Sequence, residues 1–196
     1  MEKIKKNKNI LLGITGGIAS YKSCELVRLF IKGGYSVKVM MTEAAARFVS
    51  PLVFQELSNS PVYLDMFSLI KEEKIQHISL AQWAHLCLIA PLSANTLSKI
   101  ASGICDNLLT SVVSSLSKDV KVLLAPAMNE NLWKNPIITE NVKKLSAISG
   151  SASGGKKIKK YIIMPPGIGE LACGDYGEGR MPEAKDVYHK ATALLK

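Results

Sequence analysis

Asn9-Ile-Leu-Leu-Gly-Ile-Thr-Gly-Gly-Ile-Ala-Ser20, with a second apolar run at Tyr35-Ser-Val-Lys-Val-Met-Met41, decides the fold. The first six residues have the unbroken apolar character of a buried strand, and Thr15-Gly-Gly17 reads as a tight turn. Residues 18–32 then carry apolar side chains at 18, 19, 26, 27, 30 and 31, the spacing of one helix face, and Gly33-Gly34 stops the helix. A fifteen-residue helix between two strands is a βαβ unit. Such a unit forces a parallel sheet through a right-handed crossover, so the fold class is α/β.

The rest of the chain keeps the alternation. Residues 43–49 read as helical, and Ser50-Pro51 restarts a helix as N-cap and first helical residue, closed by Asn59-Ser-Pro61. Leu86-Cys-Leu-Ile-Ala90 is a third strand, expected to break at Pro91. Helices follow over 92–102 and 107–116, a fourth strand over 120–125, a helix over 136–146, a last strand over 160–164 and a closing helix over 184–195. Residues 146–155 are rich in Ser, Gly and Ala without periodicity, and a mobile loop is expected over 146–159. Residues 165–183 are rich in Gly and Pro and read as structureless, a length of loop that tends to serve as a functional lid.

With 196 residues, 47% of them hydrophobic, one domain preceded by a basic tail at 1–8 is expected. No apolar run approaches the roughly 20 residues that span a bilayer, and the basic opening lacks a signal-peptide core, which points to a soluble protein that is not secreted. Four cysteines at 24, 87, 105 and 173 form no Cys-x-x-Cys pair, and three sit in segments that read as helix or strand. Neither a disulfide scaffold nor a metal site is expected, and the reducing cytoplasm fits. The net charge of +9 sits largely in the first eight residues and in Lys156-Lys-Ile-Lys-Lys160, without interleaved aromatics, so no nucleic acid or membrane partner is read from it. A positive surface field suits an anionic small molecule better.

Several short stretches carry chemistry. In Val120-Lys-Val-Leu-Leu-Ala-Pro-Ala-Met-Asn129, Asn129 lies beyond a strand's carboxyl end, where ligands bind in open α/β sheets. Its amide suits a carboxylate, and it equally suits capping a helix that begins near Glu130. Gly16 and Gly17 let the backbone approach a phosphate at a helix start, or simply make a tight turn. The glycine spacing matches neither a P-loop nor the dinucleotide fingerprint, and points to a mononucleotide. Ser93, Asn95 and Thr96 follow the third strand as Asn129 follows the fourth, and Thr42 follows the second; each could cap a helix or bind a cofactor. His77 is a general-base candidate, although a lone histidine is more often structural. Cys173, in Leu171-Ala-Cys-Gly-Asp-Tyr-Gly-Glu-Gly-Arg-Met181, could donate a proton or act as a nucleophile near Arg180.

Together Gly16-Gly-Ile-Ala19, His77, Pro91-Leu-Ser-Ala-Asn-Thr96, Gly103-Ile-Cys-Asp-Asn-Leu-Leu-Thr110, Ala125-Pro-Ala-Met-Asn129 and Leu171-Ala-Cys-Gly-Asp175 resemble the flavin-dependent cysteine decarboxylases, above all the phosphopantothenoylcysteine decarboxylases of the halotolerance-protein type. The resemblance covers nearly the whole chain. It implies a flavodoxin-like or Rossmann-like three-layer sandwich, FMN as cofactor, and a homotrimer with active sites between subunits. Gly16, Gly17, Ile18, Thr42, Ser93, Asn95, Thr96, Asp106 and Asn107 would bind the cofactor. Ala127, Met128, Asn129, Ala172 and Arg180 would bind substrate. The reaction implied converts 4'-phosphopantothenoylcysteine to 4'-phosphopantetheine for coenzyme A, through a thioaldehyde that delocalises the charge left by the departing carbon dioxide onto sulfur. By the same resemblance His77 is the base, Asn129 holds the carboxylate, and Cys173, in a substrate clamp over 165–183, protonates the reduced enethiolate.

Two relatives of that group act otherwise. The peptidyl-cysteine decarboxylases stop at the enethiol, and Ala127 with Cys173 speaks against them. Some halotolerance proteins regulate phosphatases without catalysis, using an acidic tail that is absent from this sequence. A flavin prenyltransferase-like relative would have no need of Asn129 and Cys173. The chain ends one helix after the clamp, so a cysteine-attaching activity is expected elsewhere. Ala81-Gln82 stands where relatives often place arginine, which leaves the substrate-phosphate contact open.

Overall fold

The computed structural model describes residues 8–67, 76–151, 155, 157–172 and 174–195. Its strands are β1 (Asn9–Ile14), β2 (Ser36–Met41), β3 (Val62–Tyr63), β4 (Leu86–Leu92), β5 (Lys121–Pro126), β6 (Ser149–Ser151), β7 (Lys157–Lys159), β8 (Tyr161–Ile163), β9 (Gly167–Glu170) and β10 (Tyr176–Arg180). The helices are α1 (Lys22–Lys32), α2 (Glu43–Ala46), α3 (Pro51–Ser58), α4 (Gln76–Trp83), α5 (Ala94–Ser102), α6 (Leu108–Ser115), α7 (Glu130–Trp133), α8 (Pro136–Ala147) and α9 (Ala184–Leu194).

Six strands form one parallel sheet in the order β3-β2-β1-β4-β5-β8. Without the two-residue β3 this is the flavodoxin order, and with it the dinucleotide-fold order; in both, the strand order reverses between β1 and β4. Side chains alternate faithfully across the sheet. Ile10, Leu12, Ile14, Leu86, Leu88, Ala90, Leu123 and Ala125 join α1, α3 and α9 on one face. Leu11, Cys87, Ile89, Val122 and Leu124 join α4, α5, α6 and α8 on the other. A period of two in strands covered on both faces explains why the sequence shows unbroken apolar runs.

Four expectations are corrected. The first turn of the helix read over 18–32 is a separate 3-10 turn at Ile18–Tyr21. Pro91 does not end the third strand: β4 passes through the cis Ala90–Pro91 bond to Leu92, because the ladder with β5 shifts register between Ile89 and Leu92, where a missing N–H does least harm. Residues 165–183 are not structureless, since β9 and β10 pair antiparallel. Residues 146–159 also contain pairing, of β6 with β7, around a buried Gly150. Of the cysteines, Cys24 and Cys87 lie in elements, while Cys105 is exposed in the loop between α5 and α6. No helix among the described residues is long and apolar enough to cross a membrane, and they hold no cluster of metal-ligating side chains.

Candidate functional site

A cavity of about 560 Å³ opens at the carboxyl ends of the strands, beside the reversal of strand order. Gly16 after β1, Thr42 after β2, Asp65 after β3 and Ser93 after β4 reach it, with Asn95, Thr96 and Lys99 from α5 and with Asp106, Asn107 and Leu108 at the start of α6. The volume falls in the range of small-molecule and cofactor sites.

Local hydrogen bonds hold this rim in place. Thr42 Oγ1 accepts the Ala45 N–H at 3.2 Å and caps α2. Ser93 Oγ accepts the Thr96 N–H at 3.3 Å and caps α5. Asn107 Oδ1 accepts the Thr110 N–H at 3.1 Å and caps α6, while its amide donates to Asp106 Oδ1 at 2.9 Å. Capping and cavity lining are therefore not alternatives here, because a hydroxyl or amide has more hydrogen-bonding capacity than one cap consumes. Lys99 Nζ meets Asp106 Oδ2 at 2.6 Å, and the hydrogen bond from this lysine is the main cause holding the Asp106 carboxyl below its usual range.

Two residues that the sequence reading passed over complete the frame. Lys99 is the first, facing the cavity one turn along α5 from Asn95. Thr15 is the second, and it is buried. Its hydroxyl donates to the Pro91 carbonyl at 2.8 Å and accepts the Ser93 N–H at 2.8 Å, tying the loop after β1 to the loop after β4. A threonine at the end of an otherwise apolar strand was the available signal.

Seven of the nine residues expected to bind a cofactor line this one cavity: Gly16, Thr42, Ser93, Asn95, Thr96, Asp106 and Asn107. Gly17 and Ile18 do not, and Ile18 is 60% exposed on the 3-10 turn. A Cβ on Gly16 would come within 2.5 Å of Ala44 Cβ, whereas a Cβ on Gly17 would meet nothing within 4 Å. Packing therefore accounts for Gly16 and leaves Gly17 without an internal reason to be glycine. Open space beside a bare backbone at such a turn fits a phosphate-bearing ligand.

The residues expected to act on substrate lie apart from this cavity. His77 is half-buried in the first turn of α4 and does not line it. Asn129 is half-buried beyond β5, where its Oδ1 accepts the Asn131 N–H at 2.8 Å as the cap of α7. Ala127 and Met128 lie in the same segment, held by the Ala127 N–H to the Leu92 carbonyl at 3.0 Å and the Met128 N–H to the Gly179 carbonyl at 3.0 Å. That second bond brings the β9–β10 hairpin onto the mouth of β5. Ala172 is exposed near the hairpin's tip, and Cys173 lies outside the described residues. Arg180 is exposed and pairs with Glu183 at 3.6 Å, a carboxylate that Lys22 also meets at 2.9 Å. His85, by contrast, is structural, accepting the Asn9 N–H on Nδ1 at 3.0 Å.

Comparison with known proteins adds the following. The flavoprotein family model matches residues 1–196. A probable phosphopantothenoylcysteine decarboxylase of Streptococcus mutans is 40% identical over 188 residues, covering 96% of this chain and 99% of the relative. The coenzyme A biosynthesis bifunctional protein CoaBC of Bacillus subtilis is 40% identical over 181 residues, covering 92% of this chain and 41% of the relative. The chain thus spans about two fifths of the length of the bifunctional relatives it matches. Among solved structures, a mutant PPC decarboxylase complexed with pantothenoylaminoethenethiol superimposes with a TM-score of 0.81 at 31% identity, over 96% of this chain and 98% of the other. The FMN binding protein AtHal3 does so with a TM-score of 0.78, also at 31% identity, over 96% and 97%.

Proposed function

The chain belongs to the flavoprotein family, and from that premise we propose that it is an FMN-dependent carboxy-lyase that converts 4'-phosphopantothenoylcysteine to 4'-phosphopantetheine in coenzyme A biosynthesis. The observation that carries this is the single cavity at the strand mouths gathering seven of the nine expected cofactor residues. A full-length relative named as this decarboxylase supports the substrate assignment.

Gly16, Thr42, Ser93, Asn95, Thr96, Asp106 and Asn107 would hold FMN, with Gly17 leaving room for its phosphate. When bound, FMN supplies the acceptor for a hydride from the thiol-bearing carbon and later the donor that returns it. His77 would take the thiol proton as that carbon is oxidised, the role of a positioned general base. The Asn129 amide, whose carbonyl oxygen caps α7, would hold the substrate carboxylate. Ala127 and Met128 form the adjacent wall, and the hairpin bearing Ala172, Cys173 and Arg180 closes over the substrate, with Cys173 donating the final proton. In one copy His77 and Asn129 lie outside the cavity lining. The family resemblance supplies the reading we adopt: a homotrimer in the cytoplasm, each site completed by a neighbouring subunit.

Purified protein is expected to be yellow, to release flavin on denaturation, and to evolve carbon dioxide from the substrate with phosphopantetheine as product. Cys173→Ser should still release carbon dioxide but accumulate an oxidised product, whereas Asn129→Ala should release none. A colourless protein yielding no flavin would end this proposal.

A further inference from the structure

The β9–β10 hairpin has little apolar surface of its own to anchor it: Ile168 is 69% exposed and Tyr176 is 78% exposed. It is nevertheless set tightly against the segment that leaves β5, and Glu130 is at the centre of that contact. Glu130 Oε1 accepts the Glu178 N–H at 3.3 Å and meets Lys134 Nζ at 2.8 Å. A Cβ on Gly177 would lie 2.6 Å from Glu130 Oε2, so the carboxylate fills the space that a side chain at 177 would need. Two residues away on each side, the Met128 N–H donates to the Gly179 carbonyl at 3.0 Å. A four-residue helix, a bare glycine backbone and one carboxylate between them make the joint.

The geometry points to Glu130 as the positioning residue that seats this hairpin on the mouth of β5, ordering it over Ala127, Met128 and Asn129. The kinetic consequence rests on the decarboxylase reading; the mechanical one does not. A hairpin ordered in advance spares the substrate the conformational entropy of ordering it, which is paid through affinity when the seat is lost. Lys134 acts through Glu130, holding its carboxylate toward β10.

The experiment uses the full chain, purified with its flavin, as wild type, Glu130→Ala, Glu130→Gln and Gly177→Ala. Amide hydrogen exchange is followed over 167–172 and 174–180 and over β1 and β4 as an internal standard. Glu130→Ala is expected to speed exchange in the hairpin at least tenfold with β1 and β4 unchanged. Glu130→Gln keeps an acceptor for the Glu178 N–H and should restore most of the protection, and Gly177→Ala, which evicts the carboxylate, should match Glu130→Ala. In turnover, Glu130→Ala should raise KM three- to tenfold with kcat within twofold. Unchanged hairpin exchange in Glu130→Ala overturns the proposal, as does an equal rise in β1 and β4, or a fall in kcat at constant KM. A wild-type protein without turnover would refute the decarboxylase reading and leave the exchange comparison standing.

Discussion

Gly16 and Gly17 are neighbours with opposite reasons for being glycine. At Gly16 a methyl would lie 2.5 Å from Ala44 Cβ and 3.1 Å from the Ala44 carbonyl carbon, atoms on or next to the backbone that cannot swing aside. Overpacking of that kind costs typically about 1–3 kcal/mol. At Gly17 the backbone is extended, with φ 173, and a methyl would meet nothing within 4 Å. Gly16→Ala should therefore lower the melting temperature of the flavin-free protein, while Gly17→Ala leaves it unchanged and weakens FMN binding at least tenfold. Thermal denaturation of the flavin-free protein and fluorescence titration with FMN separate the two. Gly17→Ala binding FMN as tightly as the wild type would remove Gly17 from the cofactor site. The sequence showed only two adjacent glycines; which one the fold needs depends on the position of α2, whose four residues had no periodicity to reveal their packing.

At the scale of elements, the main sheet was legible because each central strand is buried on both faces and so writes itself as a continuous apolar run. Helix caps were legible too: Thr42, Ser50 and Ser93 each accept a backbone N–H where the sequence offered a cap, while the cap at Asn107 was not read. The β9–β10 hairpin was not, since it forms by docking. Gly167, Gly169, Gly177 and Gly179 offer no side-chain pattern, and the pairing follows from the surface they lie against. A Cβ at Gly179 would collide with the Met128 carbonyl oxygen, a backbone atom, and press Leu171 Cδ2 at 3.3 Å. Gly179→Ala should break the Met128–Gly179 hydrogen bond and lift the hairpin off β5. The expected signature is a new cleavage site for limited proteolysis within 167–180, with the flavin still bound and the melting temperature of the main sheet within a few degrees. Resistance equal to the wild type would show that the hairpin tolerates a methyl at 179 and is held by other contacts.

Across the whole molecule, the two cores meet through the central strands, and a thiol sits at that junction. Cys87 in β4 is completely buried, facing the core formed with α4, α5, α6 and α8. Burial pushes its pKa up from 9.0 to about 12, against a smaller opposing pull from Lys160. Below pH 9 the folded and unfolded chains both hold the proton. Between pH 9 and about 12 the unfolded chain releases it and the folded chain does not, so stability present below 9 is lost as the pH rises, by up to ~1.4 kcal/mol per pH unit. Lys160 works the other way. Its ammonium, donating to the Ser117 and Val120 carbonyls, is lowered chiefly by burial, so it contributes stability that grows as the pH rises toward 10.5. Cys87→Ala removes the first effect and, by removing the thiolate that pulls the Lys160 pKa up, leaves the second at least as large. The variant should be less stable than the wild type at neutral pH, by roughly 1–2 kcal/mol of lost packing, and its deficit should shrink above pH 9. Urea denaturation midpoints measured from pH 7 to 11 test this, and a deficit that stays constant with pH would mean that the buried thiol ionises as readily in the folded chain as in the unfolded one.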